Sequence, residues 1–218
     1  VGANSYCETI LALPGDSKEK HYSTLEKAVS AGFNQVSTFQ LMMLPGSEMC
    51  DKETREKFKM ETRFRIFPRC FGYYNLLDQR IISAEIEEVC VSGSTLSFED
   101  YLDCRKMHLM IAIFHNDGIL SVILKFIRQE KLSVYLWLQL LSENTSSEKF
   151  EILKNDFISK SKEELWDKEE DLKEFVEKEN VIEKFIDGEL GINLLFTFKS
   201  RAISGIGVLF TFKVERST

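Results

Sequence analysis

The sequence predicts an α/β unit followed by an all-α region, and three observations carry that expectation. Two β-rich apolar runs flank a segment with helical spacing. The tripeptide Leu-Pro-Gly occurs at Leu13-Pro14-Gly15 and again at Leu44-Pro45-Gly46, each time at the end of one of those runs. No proline follows Pro68, and the chain from Ser83 onward reads as one helical segment after another.

Tyr6–Leu13 (YCETILAL) is the first predicted strand, apolar at its end and so expected to be buried on both faces. Asp16 is placed to cap the next helix, with Glu19 completing a capping box. Tyr22, Leu25, Ala28 and Val29 form the apolar stripe of that helix, and Gly32 supplies its left-handed stop. Gln35–Leu41 (QVSTFQL) is the second strand. Strand, helix and strand within 36 residues make a βαβ unit, so the strands should be parallel and both Leu-Pro-Gly turns should lie at their carboxyl ends. In β/α barrels and open α/β sheets, that edge carries the site.

A short polar helix is expected after Cys50. Arg63 and Arg65 then alternate with Phe64 and Ile66, as in a strand with one wet face. Helices are expected over Phe98–Asn116, Gly118–Glu130 and Leu132–Ser142, with His115-Asn116-Asp117-Gly118 as a turn. A boundary near residues 76–82 divides the chain into an α/β portion (residues 1–78) and a helical domain (residues 79–218). The α/β portion supplies two or three parallel strands, whereas a closed β/α barrel needs roughly 200 residues. The expectation is part of a barrel, in a chain that opens at Val1 and is read as a piece of a longer protein.

A hydrophobic content of 44% and a charged content of 29% are ordinary for a globular protein. The net charge of −7 argues against general nucleic-acid binding. Sixteen acidic and 8 basic side chains lie between Glu143 and Glu189, so that segment holds −8 and the remainder is close to neutral. The five scattered cysteines lack any C-x-x-C pair, which suggests reduced thiols and a cytoplasmic location. The apolar tail from Ile192 to Val214 has an uncharged run of only 11 residues, Ala202–Phe212, too short to span a bilayer, so no membrane partner is expected.

The strand ending in ILALPGDSKEKHYSTL, its helix and the strand ending in FQLMMLPGSEM resemble the C-terminal third of the radical S-adenosylmethionine barrel. The segments TRFRIFPRCFG and SFEDYLDCRKMHL are similar to the subgroup whose upstream domain binds cobalamin. The resemblance covers residues 5–75 and extends to about residue 116. It implies that the first strand follows the pattern I-x-G-x-P-G and lies against the adenine of S-adenosylmethionine. Ile10 and Gly15 match that pattern, and Ala12 stands where the family usually has Gly. Phe39, Gln40 and Leu41 match positions that line the same cofactor pocket. The family's C-x-x-x-C-x-x-C and D-x-H-x-x-G motifs do not occur in these 218 residues. The resemblance therefore implies an iron–sulfur cluster and cobalamin held upstream, by a missing N-terminal part of the same polypeptide. This chain alone would not generate the radical. The implied activity is reductive cleavage of S-adenosylmethionine followed by radical chemistry, commonly methyl transfer to an unactivated carbon, on a small-molecule or unknown substrate.

Other readings stand beside these. Ile10, Ala12 and Leu13 also suit a plain buried strand, and Gln40 a structural hydrogen bond. Gly15 and Asp16 at a helix start could bind an anion, although the Asp16 carboxylate would compete for the amides. Arg63, Arg65 and Arg69 could hold a substrate carboxylate or phosphate, or pair with Asp51, Glu53, Glu56 or the acidic helices. Cys104 and His108 share a helix face, but with no further ligands in spacing they read as core packing and a surface or capped histidine. The acidic run Ser161–Glu179, striped with Leu165, Trp166, Leu172, Phe175 and Val176, reads as a solvated helix face or a docking surface. The functional alternative is a non-catalytic helical interaction module carrying a barrel remnant. A nucleotide-binding fragment is weakened by the lack of G-x-G-x-x-G or G-K-[ST].

Overall fold

The computed structural model describes residues 4–77, 79–144, 147–178 and 180–209. Strand β1 (Tyr6–Leu11) and strand β2 (Gln35–Gln40) pair in parallel, in register from Tyr6↔Gln35 to Leu11↔Gln40. Helix α1 (Lys18–Ser30) joins them, as the period-3.6 stripe required. Leu25, Ala28 and Val29 on α1 are buried against Val36 of β2. The helix cap is Ser17, whose Oγ accepts from the Lys20 amide at 3.3 Å, and not Asp16 as expected. Asp16 is otherwise engaged: its Oδ1 accepts from the Ser17 amide at 2.9 Å. Glu19 keeps its part at the helix start, accepting from the Ser17 hydroxyl at 2.9 Å. Gly32 takes the left-handed φ of +82° expected of it.

Helix α2 (Lys52–Phe58) follows a single turn of 3₁₀ helix. Strand β3 (Glu61–Leu76) and strand β4 (Gln79–Ser92) then form a long antiparallel hairpin that runs across the expected boundary. The helices expected from Ser83 onward begin only at Phe98. Ile82, Ala84 and Ile86 alternate along β4 and pack, with Phe64, Phe71 and Tyr73 of β3, against one cluster of buried residues. A bulge interrupts the ladder between Ile66 and Phe71, where Pro68 lacks an amide to donate and Arg69 turns to a φ of +69°. The hairpin joins the parallel pair at one point. Met42 bridges Val89, with the Cys90 amide donating to the Leu41 carbonyl at 2.9 Å and the Met43 amide to the Glu88 carbonyl at 2.8 Å.

Helix α3 (Phe98–Phe114) is buried along nearly its whole length and forms the axis of the helical region. A 3₁₀ turn at Asn116–Gly118 follows, as the turn residues predicted. Around α3 stand α4 (Ser121–Gln129), α5 (Val134–Glu143), α6 (Glu148–Glu163) and α9 (Leu194–Leu209), which share one hydrophobic core with α1. The short helices α7 (Glu169–Val176) and α8 (Val181–Ile186) cover the hairpin through Leu172, Val176, Ile182 and Phe185. The expected continuous acidic helix from Ser161 is broken after Glu163, because Trp166 joins the edge of β3. Phe64 and Trp166 exchange both backbone hydrogen bonds at 2.8 Å. Glu179, the end of that acidic run, lies outside the described residues.

The architecture is thus mixed α/β, with two two-stranded sheets and no closed barrel among the described residues. Among these residues, no single helix is long and apolar enough to cross a membrane.

Candidate functional site

Both Leu-Pro-Gly elements lie just beyond the carboxyl ends of the parallel strands and form the same turn. The Asp16 amide donates to the Leu13 carbonyl at 2.9 Å, and the Ser47 amide to the Leu44 carbonyl at 3.0 Å. Proline at the second position and a positive-φ glycine at the third are the type II pattern, with Gly15 at +75° and Gly46 at +82°. The first turn packs against Phe58 and the Gly93–Leu96 loop, and Thr95 Oγ1 donates to the Asp16 carbonyl at 2.6 Å.

The six residues expected at the cofactor pocket divide between two faces and a core. Ile10 and Phe39 are register partners, both exposed, on the face of the parallel pair turned away from α1. Gln40 lies on the opposite face, where its Nε2 donates to the Tyr101 hydroxyl at 2.7 Å. Tyr101 is fully buried and stacks on Phe98 with ring centroids 5.9 Å apart. Ala12 and Leu41 are buried in a core with Val89, Cys90 and Tyr101. Ala12 has a φ of +68°, so the backbone keeps a glycine-like conformation at the one position of the I-x-G-x-P-G pattern where glycine is replaced. Gly15 sits in its turn with the Phe58 ring beside it.

The three arginines singled out from the sequence are dispersed. Arg63 Nε meets Asp167 at 2.7 Å. Arg65 is held between Glu87 at 2.6 Å and Glu164 at 2.9 Å. Arg69 lies over the Phe196 ring at 5.7 Å. Asp51, Glu53 and Glu56 are not partners of these three; Asp167 and Glu164 come from the acidic run, as the ion-pairing alternative expected, and Glu87 from β4. A stronger pair was not anticipated. Arg55 binds Glu88 through two bonds, at 2.6 and 2.7 Å, and the Thr62 hydroxyl donates to the same carboxylate. These bonds, led by that of Arg55, hold the Glu88 carboxyl below its usual pKa.

His108 is not a surface histidine. It is fully buried, with its Nε2 2.8 Å from Nε2 of His21, and His21 Nδ1 lies 3.5 Å from Asp16 at the first turn. Burial, reinforced by His21 and Arg105, lowers the His108 pKa well below the ordinary value. Cys104 is buried as expected, and burial raises its thiol pKa. No group of three or more His, Cys, Asp or Glu side chains among the described residues could hold a metal ion.

A cavity of about 240 Å³ opens beside the end of β2. Phe39, Gln40 and Arg65 line it, together with Glu164 of the acidic run and with Glu87 and Arg105, which were not anticipated. Glu87 has a raised pKa because burial outweighs the field of Arg65. Tyr101 and Arg105 stand four apart on α3, so one helix face supplies the partner of Gln40 and a wall of this cavity. No protein-family model matches the chain, and no curated protein matches it.

Proposed function

We propose that this chain is the carboxyl-terminal part of a cobalamin-dependent radical S-adenosylmethionine enzyme. One observation carries the reading. A parallel strand pair ends in two like Pro-Gly turns, and Ile10 stands beside Phe39, both exposed, on the face turned away from α1. In a β/α barrel, the face opposite the helices is the interior.

The residues present suit part of S-adenosylmethionine. Ile10 and Phe39 offer a flat apolar surface for an adenine ring. Ala12, in a left-handed conformation, and the Gly15 turn follow directly at the carboxyl end of β1. Gln40, braced by Tyr101, holds the end of β2 to α3. The cluster and cobalamin have no ligand set among the described residues, so this reading assigns both to an upstream part of the polypeptide. When bound, the cluster would supply the electron that cleaves S-adenosylmethionine. The role of residues 4–77 is to seat the cofactor and exclude water. The helices close the outer side of the strands. The acidic helices give less support to the docking-module alternative, because Glu163, Glu164, Asp167 and Glu169 are all paired with Lys or Arg of this chain.

The test is to express the complete reading frame without oxygen, reconstitute it with iron and sulfide, and assay 5′-deoxyadenosine after adding S-adenosylmethionine and a reductant. Product formation is expected, with Phe39→Ala raising the KM for S-adenosylmethionine more than it lowers kcat. A protein that takes up no cluster and makes no 5′-deoxyadenosine would overturn the reading.

A further inference from the structure

The two arginines of the cavity beside β2 are unequally matched. Arg65 holds two carboxylates, Glu87 and Glu164. Arg105 is only 4% exposed, yet it makes no hydrogen bond or ion pair among the described residues. Its Nε is buried without an acceptor. It lies over the Phe157 ring, 5.4 Å away, which offers a π face but no acceptor in the guanidinium plane, while Tyr101 and Glu164 act on its charge without a hydrogen bond to it. Burial lowers the Arg105 pKa from its ordinary value, and outweighs the support that Tyr101 and Glu164 give the charge. A guanidinium stays charged and presents five donors, so a buried one normally faces a planar anion.

We propose that this cavity binds a small organic monocarboxylate. Arg105 holds the carboxylate, and the apolar body of the ligand lies against Phe39, Met42 and Phe67, which line the same space. The volume of about 240 Å³ admits only a small molecule. Glu87 and Glu164 stand on the same walls and would repel a dianionic phosphate more strongly than a carboxylate. This inference goes beyond the radical-enzyme reading and does not depend on it.

The test is calorimetric titration of the full chain with phenylacetate, its neutral analogue phenylacetamide, and phenyl phosphate. Saturable binding of phenylacetate in the millimolar range is expected, with phenylacetamide about tenfold weaker or worse. Arg105→Met should weaken phenylacetate by a similar factor and raise Tm, because an uncompensated buried charge is replaced by an apolar chain of similar length. Leu195→Trp fills the cavity without touching the charges, and it should remove binding even if Arg105→Met fails to fold. Equal affinity for acid and amide, unchanged binding in a folded Arg105→Met, tighter binding of phenyl phosphate, or no saturable binding of phenylacetate would each overturn the proposal.

Discussion

Single residues set the local geometry of the two turns and of the hairpin. Gly15 has a φ of +75°, and a Cβ there would meet Phe58 at an ordinary 3.7 Å. The cost of Gly15→Ala is therefore one of backbone conformation, about 1–2 kcal/mol of unfolding free energy in urea. Glu88 illustrates a charge effect with a defined sign. Its folded-state pKa is lowered by the Arg55 hydrogen bonds, so the stability it adds is present above the ordinary value of 4.5 and is lost as pH falls through the folded value. Glu88→Gln should cost about 1–3 kcal/mol at neutral pH. Its unfolding curve should converge on that of the unmodified protein in acid.

Elements were legible where one local pattern decided them. The switch from strand to helical spacing and back, framed by two Pro-Gly turns, was enough to place β1, α1 and β2 and their parallel pairing. Strand β4 was obscured because Ala84, Glu85, Glu87 and Glu88 are good helix formers. Cross-strand partners such as Arg65↔Glu87 override that propensity, and no window of β4 alone contains them. The cap of α1 was misplaced by one residue because Asp16 and Ser17 are both good caps. Ser17→Ala should therefore lower stability by about 1 kcal/mol, read as a shift of the denaturant midpoint. Of the candidate site, the sequence offered Ile10 and Phe39 through the resemblance alone, and their pairing became visible only in the strand register, whereas Arg105 resembles any other helix charge until α3 is seen to be buried. On α9, Phe198 is 1% exposed and packs edge-on against Phe157 at 5.4 Å. Phe198→Ala should cost about 3–5 kcal/mol in chemical unfolding, much more than a helix at the rim would forfeit.

The molecule as a whole should be sensitive to mild acid. An unfolded chain protonates His108 near 6.5, but the folded one resists, because the ring is buried and faces His21 and Arg105. Stability should therefore fall below pH 6.5 by up to about 1.4 kcal/mol per pH unit from this group. His108→Gln, which can still bond to His21, should flatten that limb in a pH series of thermal melts. The long reach of the Arg65 cluster has a consequence for biosynthesis. Glu87 follows Arg65 by 22 residues, but Glu164 follows it by 99. At translation rates of roughly 5–20 residues per second, the second carboxylate is made about 5–20 s after the guanidinium. During that interval the hairpin emerges from the ribosome with its buried-to-be cation half neutralised and its apolar face bare, a natural moment for a chaperone to hold it.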